Sequence, residues 1–419
     1  MRLLAPLRDP PVALLWGGLS LSAIGDQLYA IALTWIAVGV LGAAAGYLAA
    51  VGAGCVLATA LIAGRWADAW EQRAAMIAAD LARALVLIAV VLDWSFRGRP
   101  TAVALVLATI ILAIGQAVFR PALQSVLPAL VRDAAHLPAA NALLDSTDRI
   151  ARLLGPGLIV VFAAWVPVKH FLSLDAVSFG LSAASLLLIG RMRRLPRPRG
   201  DKPPRDILGS ALRGFRVVAT HPLLRVTLQL TGVNNGLWYA VFFLGLPLAL
   251  TRHVPGSAGL GAYGFVISAY GCTNLAATLV IASRKLPSCP GRMIFAGYAV
   301  LGIGLTLMAM TAAASLPPSL SVTIFAITAA LGAVGGPMKD IPTAVLRQTE
   351  LPRADVPAAM RAYMVAANGG LLVAMLIAPL LYAIFPVWSV MAVCAVITFG
   401  IGVAGMVRFA VQPALADSS

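Results

Sequence analysis

Asp145-Ser-Thr-Asp148-Arg149-Ile-Ala-Arg152-Leu-Leu-Gly155-Pro156-Gly157 places four charges inside a segment, 138–165, that is otherwise apolar and long enough to cross a bilayer. The charges fall at i, i+3, i+4 and i+7, so a helix puts all four on one face. Asp145/Arg149 and Asp148/Arg152 are each four apart, the spacing at which a carboxylate can neutralise a guanidinium. If the helix starts near Pro138, Arg152 lies roughly 20 Å along it at about 1.5 Å per residue, close to mid-bilayer. An isolated charge there costs at least ~2.5–3.5 kcal/mol, so the stripe must face protein or a water-filled cavity. It is either a charged wall of a translocation pathway or a set of salt bridges that only fixes helix packing. The pathway is the default for ionisable residues inside a membrane.

Composition extends this reading to the whole chain. Of 419 residues 60% are hydrophobic and 11% charged, and the mean hydropathy is +0.91. A soluble protein carries about 25% charged residues. The net charge of +15 does not point to nucleic acid, because the basic residues cluster between apolar spans and form no aromatic-interleaved patch. Cys55, Cys272, Cys289 and Cys394 are far apart with no Cys-x-x-Cys, as expected of small apolar residues with no disulfide or metal role. No cleavable leader is expected, since a long span rather than a short apolar core follows Arg2 and Arg8.

Twelve apolar spans are expected, each near the ~20 residues a bilayer requires. The first six are 12–41, 43–63, 74–94, 101–124, 138–165 and 170–190. The second six are 223–251, 259–283, 293–314, 319–345, 357–385 and 387–408. This divides the chain into bundles at 1–190 and 223–419, joined by a basic, Pro-rich linker at 191–222. With both termini inside, the cytoplasmic loops hold Arg65, Arg73, Arg132, the linker run from Arg191 to Arg205, Arg284, Lys285, Arg292, Arg347 and Arg353. The other side holds Arg97, Arg99, Lys169 and Arg252, so the positive-inside rule puts linker and termini in the cytoplasm. The absence of Asn-x-Ser/Thr acceptors fits a bacterial inner membrane. Pro138-Ala-Ala-Asn-Ala-Leu, entering span 5, recurs as Pro357-Ala-Ala-Met-Arg-Ala, entering span 11. Two parallel six-span halves form the repeat pattern of one large transporter fold, with its substrate site between the halves.

The motifs carry a resemblance. Gly64-Arg-Trp-Ala-Asp68-Ala-Trp-Glu-Gln-Arg73, between spans 2 and 3, resembles the Gly-x-x-x-Asp-Arg-x-Gly-Arg-Arg loop of the major facilitator superfamily. Gly64, Asp68 and Arg73 match, while Ala69 and Glu71 stand where the pattern has Arg and Gly. A Gly permits a tight helix exit, and Asp68 is placed to accept from the first amides of span 3. The resemblance implies that this loop latches the inward face. Gly155-Pro156 resembles the Gly-Pro motif of antiporter members, with Ile159 and Val160 in place of its downstream glycines. Ser22-x-x-Gly25-Asp26 and Phe119-x-Pro-Ala-x-Gln-Ser125-x-Leu-Pro-x-Leu look like the macrolide-efflux and enterobactin-exporter branch. The resemblance covers essentially the whole chain. It implies an all-α protein of two pseudo-symmetric six-helix bundles and export of an amphiphilic drug or siderophore. Uptake of a ferric chelate, lysolipid flipping and a non-transporting receptor or assembly role are the alternatives.

Among single residues, Asp26 is the lone carboxylate of span 1 and the candidate for exchanging a proton. Its alternative is a helix–helix hydrogen bond to Asn234 or Asn235 in span 7. Arg120 either pairs with Asp145 or Asp148 or snorkels to the interface. Gln116, Asn274 and Asn368 are candidate cavity-lining residues, although interhelical hydrogen bonding is the simpler role for each alone. Tyr29, Trp35, Trp238, Tyr239 and Phe242 would take the apolar part of a substrate. Asp80 and Arg83, three apart in span 3, are expected to form a local pair, and Asp93, Lys169 and Asp175 to be solvated near the outer ends of their spans. Lys339 and Asp340 are expected at the interface on different helix faces. The four histidines cluster with no other ligand type, so neither a metal nor a cofactor is expected. Gly259-x-Gly-x-x-Gly264 opens an apolar span with no strand before it and is read as packing glycines. No Gly-Lys-Ser/Thr phosphate loop is present, so uphill transport would draw on an ion gradient. The expected partners are a small-molecule substrate, protons and membrane lipid, and the expected state is a monomer without enzymatic activity.

Overall fold

The computed structural model describes residues 5–66, 71–131, 136–192, 207–254, 258–284 and 287–409. Among these there are helices and turns and no strand. The helices are α1 Pro10–Leu41, α2 Ala45–Trp66, α3 Gln72–Arg97, α4 Ala102–Leu130, α5 Leu137–Phe162, α6 Lys169–Met192, α7 Ile207–Ala219 and α8 Pro222–Tyr239. They continue as α9 Leu246–His253, α10 Ala258–Ala282, α11 Pro290–Ala313, α12 Pro318–Ala333, α13 Gly335–Thr349, α14 Val356–Ile384 and α15 Val387–Arg408. Ten helical segments among the described residues are long and apolar enough to cross a membrane. The first of them, Pro10–Thr59, holds both α1 and the start of α2, and α5 falls outside the set because of its charges. With α8–α9 and α12–α13 each forming one span, twelve crossings result, as the sequence predicts.

Local chemistry sets the helix ends. Thr101 caps α4, its Oγ1 accepting from the Ala104 amide at 3.2 Å, and the His221 Nδ1 does the same for Leu224 at 3.3 Å ahead of Pro222. Gly98 closes α3 at φ 77°, in the left-handed region that favours glycine. Two boundaries differ from expectation. α4 does not stop at 124 but runs through Pro121 and Pro128 to Leu130, so Arg120 sits within the helix rather than at its end. The expected span 319–345 is one crossing, Pro318–Thr349, but its helix is interrupted at Val334, where Gly335-Gly336-Pro337 weakens the backbone ladder and α13 restarts.

The chain forms two compact units, Met1–Leu41 with Val51–Ile207 and Gly42–Ala50 with Leu208–Ser419. Inside each, corresponding helices pack on each other. The first packs on the fifth (α1 on α5, α8 on α14), the third on the fourth (α3 on α4, α11 on α12) and the third on the sixth (α3 on α6, α11 on α15). Lipid is as apolar as leucine, so these contacts depend on close approach through small residues. A side chain on Gly370 of α14 would run into the backbone of Gly232 in α8, which fixes how near those helices lie. In the second unit α8 and α9 are joined by a π-helical turn, Ala240–Gly245, two of whose carbonyls also accept from tyrosines: Tyr382 Oη donates to Ala240 at 3.0 Å and Tyr263 Oη to Phe242 at 3.2 Å. The outward faces carry large exposed apolar residues such as Leu85, Phe96, Val103 and Val407, as a lipid-facing surface requires.

Candidate functional site

The site is built inside the first unit by α1, α3, α4, α5 and α6. Helix α1 approaches α6 through glycines seven residues apart. A side chain on Gly18 would meet Ser185 and Ser182, and one on Gly25 would meet Asp175 and Ser178. A side chain on Gly155 of α5 would strike Gln27, so this glycine lets α5 close on α1 beside Asp26. Trp16 Nε1 donates to Thr147 Oγ1 at 2.8 Å across the same α1–α5 seam.

A cavity of about 160 Å³ opens among these helices. Its polar lining includes Asp26, Arg83, Gln116, Arg120, Asp145 and Asp148, with Phe119 and leucines between them. Arg120 donates to the Asp148 carboxylate at 3.1 Å, joining α4 to α5. Of the two fates open to Arg120 the structure takes pairing. Among the described residues the expected Asp148/Arg152 pair is not made, because Asp148 takes Arg120 instead and Arg152 is exposed. The Arg149 side chain lies outside the described residues.

Behind Asp26 lies a dry cluster that the sequence reading underestimated. Asp80 and Arg83 pair as expected, but inside the protein, with Asp80 0% and Arg83 4% exposed. The Arg83 guanidinium stands 4.3 Å from the Phe179 ring and 5.0 Å from Phe119, and the lack of a side chain at Gly115 leaves room for its stem. Asp175, expected to be solvated, is instead 0% exposed. Its Oδ1 accepts from the Ser178 hydroxyl at 3.2 Å, and its Oδ2 has no hydrogen-bond partner among the described residues. Position along a span misled the reading, since α6 turns this carboxylate inward onto Gly25. Tyr29, one turn beyond Asp26, is buried and its hydroxyl also lacks a partner among the described residues. The pattern that could have found the cluster is the run Asp175-x-x-Ser178-x-x-x-Ser182-x-x-Ser185, which lines one face of α6 opposite Gly18 and Gly25.

The other expected site residues fall elsewhere. In the second unit Asn235 donates to Ala367 O at 2.9 Å and Asn274 to Ala333 O at 3.0 Å, both between helices. Asn234 is buried, whereas Asn368 is half-buried and donates within its own helix to Met364 O. Trp238 stacks on Phe242 at 5.0 Å and meets Tyr239 and Tyr270. Lys339 and Asp340, expected on different faces, pair at 2.7 Å because the long lysine reaches its neighbour.

In the loop after span 2, Gly64 does not end its helix but lies inside α2, and Asp68 lies outside the described residues. Arg73 sits 3.7 Å from Glu71, its guanidinium occupying the space left by Gly190 on α6. Pro156 is buried within α5. Asp93 holds the α3–α4 corner, accepting from the Thr101 amide at 3.0 Å and from Arg97 at 2.8 Å, so it too has a structural partner.

A polytopic helical bundle with charges gathered around a cavity is the architecture expected of a membrane transporter. The Major Facilitator Superfamily pattern matches residues 15–338, and the chain belongs to that superfamily as a multi-pass secondary transporter, not an enzyme. Its fold is similar to a POT family transporter solved with 5-aminolevulinic acid, at 12% identity and TM-score 0.67, covering 94% of this chain and 96% of the other. It is also similar to a bacterial homologue of the iron transporter ferroportin in an inward-facing state, at 14% identity and TM-score 0.68, covering 94% and 98%. An auto-inhibited POT family peptide transporter aligns at 12% identity and TM-score 0.64 over 98% of both chains. At these identities the likeness is one of fold. Among curated proteins none matches the sequence.

Proposed function

We propose that this transporter exports an amphiphilic small molecule, of the drug or siderophore kind, in exchange for protons by alternating access, as in the macrolide-efflux and enterobactin-exporter branch. The observation that carries the reading is the cavity of the first unit, where Asp26 meets the Arg120–Asp148 pair, Asp145 and Gln116. Asp26 exchanges the proton, and the charges of α4 and α5 receive a polar or anionic group of the substrate. Arg149 and Arg152 extend that stripe; Tyr29 in the first bundle and Trp238 in the second are each bundle's own aromatic candidates. Within the second bundle, Asn234, Asn235, Asn274 and Asn368 are that bundle's candidate polar groups. Gly155-Pro156 and the Gly64–Asp68–Arg73 loop shape the conformational cycle. The protein works as a monomer in a bacterial inner membrane, with bundles 1–190 and 223–419, a cytoplasmic linker 191–222 and both termini cytoplasmic.

One observation favours a second reading, movement of a single-chain lipid. An apolar groove of about 640 Å³ runs along α8 and α14 in the second unit, lined by Gly232, Val233, Gly369 and Val373, with Arg225 and Gln229 beside them. Such a groove suits an acyl chain with an anionic head.

The deciding experiment is proton release from proteoliposomes on adding amphiphilic drugs, catecholate and hydroxamate siderophores, or a lysophospholipid. Ligand-triggered proton movement that Asp26→Asn abolishes supports antiport. Substrate flux without proton movement removes the coupling reading and returns Asp26 to a structural role.

A further inference from the structure

We infer that Asp175 is a buried proton-holding site of the first bundle, which exchanges its proton with the cavity through Asp26. The inference deepens the antiport reading above and rests on it for its place in the transport cycle, but its binding chemistry can be tested alone.

Charge and access carry the argument. Three carboxylates meet in the interior, Asp26 on α1, Asp80 on α3 and Asp175 on α6, with the Arg83 guanidinium among them. Arg83 is already bound to Asp80 and held between two aromatic rings. Asp26 lines the cavity, where water and the nearby Arg120 can balance it. Asp175 has neither outlet. It is 0% exposed, does not line the cavity, and one of its oxygens has no partner among the described residues. An ionised carboxylate that must share one guanidinium already ion-paired to Asp80 is costly in such a place, and a proton on the unpartnered oxygen removes that cost.

The groups facing Asp175 are Asp26 and Tyr29 from α1, Asp80 and Arg83 from α3, and Ser178 on its own helix. Of these, Asp26 is the carboxylate that also borders the cavity, and its neighbour Gly25 lies against the Asp175 carboxylate. The step is a simple transfer. The O–H bond on Asp175 breaks as one forms on Asp26, which then releases the proton to cavity water, and uptake runs in reverse.

Infrared difference spectroscopy on the full chain in liposomes reads protonated carboxyl groups directly. The expected result is a buried carboxylic-acid band in the wild type that disappears in Asp175→Asn. In Asp26→Asn the band should remain, but its hydrogen–deuterium exchange should slow by about a hundredfold, the lower range for losing a positioned proton donor. Both variants keep side-chain shape, and a size-exclusion profile matching the wild type establishes that they fold. A band that survives in Asp175→Asn overturns the assignment, as does one that sodium or calcium ions displace, which would make the occupant a metal cation. A band that behaves as expected, in a protein that moves no protons across the bilayer, would sink antiport while leaving this site standing.

Discussion

Arg83 shows how one residue carries several obligations at once. Its guanidinium neutralises Asp80, stacks between Phe119 and Phe179, and depends on Gly115 for room. Replacing it with leucine leaves a fully buried carboxylate unpaired, a change that costs about 3–5 kcal/mol. Arg83→Leu is therefore expected to lower the thermal midpoint in detergent sharply, and Asp80→Asn added to it should restore much of the loss. A wild-type midpoint in Arg83→Leu would show that water reaches Asp80. Tyr382 makes a second residue-scale case. Its hydroxyl donates to the Ala240 carbonyl of the π-helical turn, so Tyr382→Phe should cost about 0.5–1.5 kcal/mol, the net value of one hydrogen bond. The same thermal melt measures it.

Among the elements, α8 and α14 give the sharpest contrast. Gly370 faces the Gly232 backbone, while Gly369, next to it, faces open space. Gly370→Leu forces the helices apart and is expected to abolish folding or cost at least about 1–3 kcal/mol, the usual penalty of overpacking. Gly369→Leu should fold normally and fill the groove along α8. If lysolipid efflux is the activity, Gly369→Leu lowers flux while Gly369→Ala does not, and equal flux in both removes the groove from the mechanism. Helix α7 is held differently. Arg213 reaches Asp355 at 2.5 Å, Ser210 accepts from Arg361 at 2.8 Å, and Gly214 lies on the Ala358 carbonyl. Its buried contacts, Ala211 and Val218, anchor it more firmly than the solvent-screened Arg213 pair.

On the scale of the whole molecule, the proposed topology makes its own prediction. In a variant lacking Cys55, Cys272, Cys289 and Cys394, a single cysteine placed at Pro203 in the linker should react with an impermeant maleimide in everted vesicles and not in intact cells. A cysteine at Gly98, on the opposite side, should show the reverse. Labelling with the opposite sidedness would invert the topology.

The twelve crossings, the repeat and the transporter family were legible in the sequence because they rest on local quantities. Apolar length decides whether a segment can span, and short motifs at span entrances mark the halves. The stripe of α5 was legible for the same reason, since helical spacing alone puts Asp145 and Asp148 on one face. Which charges meet was decided only in the tertiary structure. Helix rotation gives Asp148 to Arg120 on α4 rather than to Arg152 on its own helix, and turns Asp175 from an expected solvated position into the dry interior. Close approach at Gly18 and Gly25 depends on what α6 presents to them, and no spacing within one helix reveals its partner. A charge is cheap or costly according to its neighbours across helices, so the sequence determined the spans and the family, and packing determined the site.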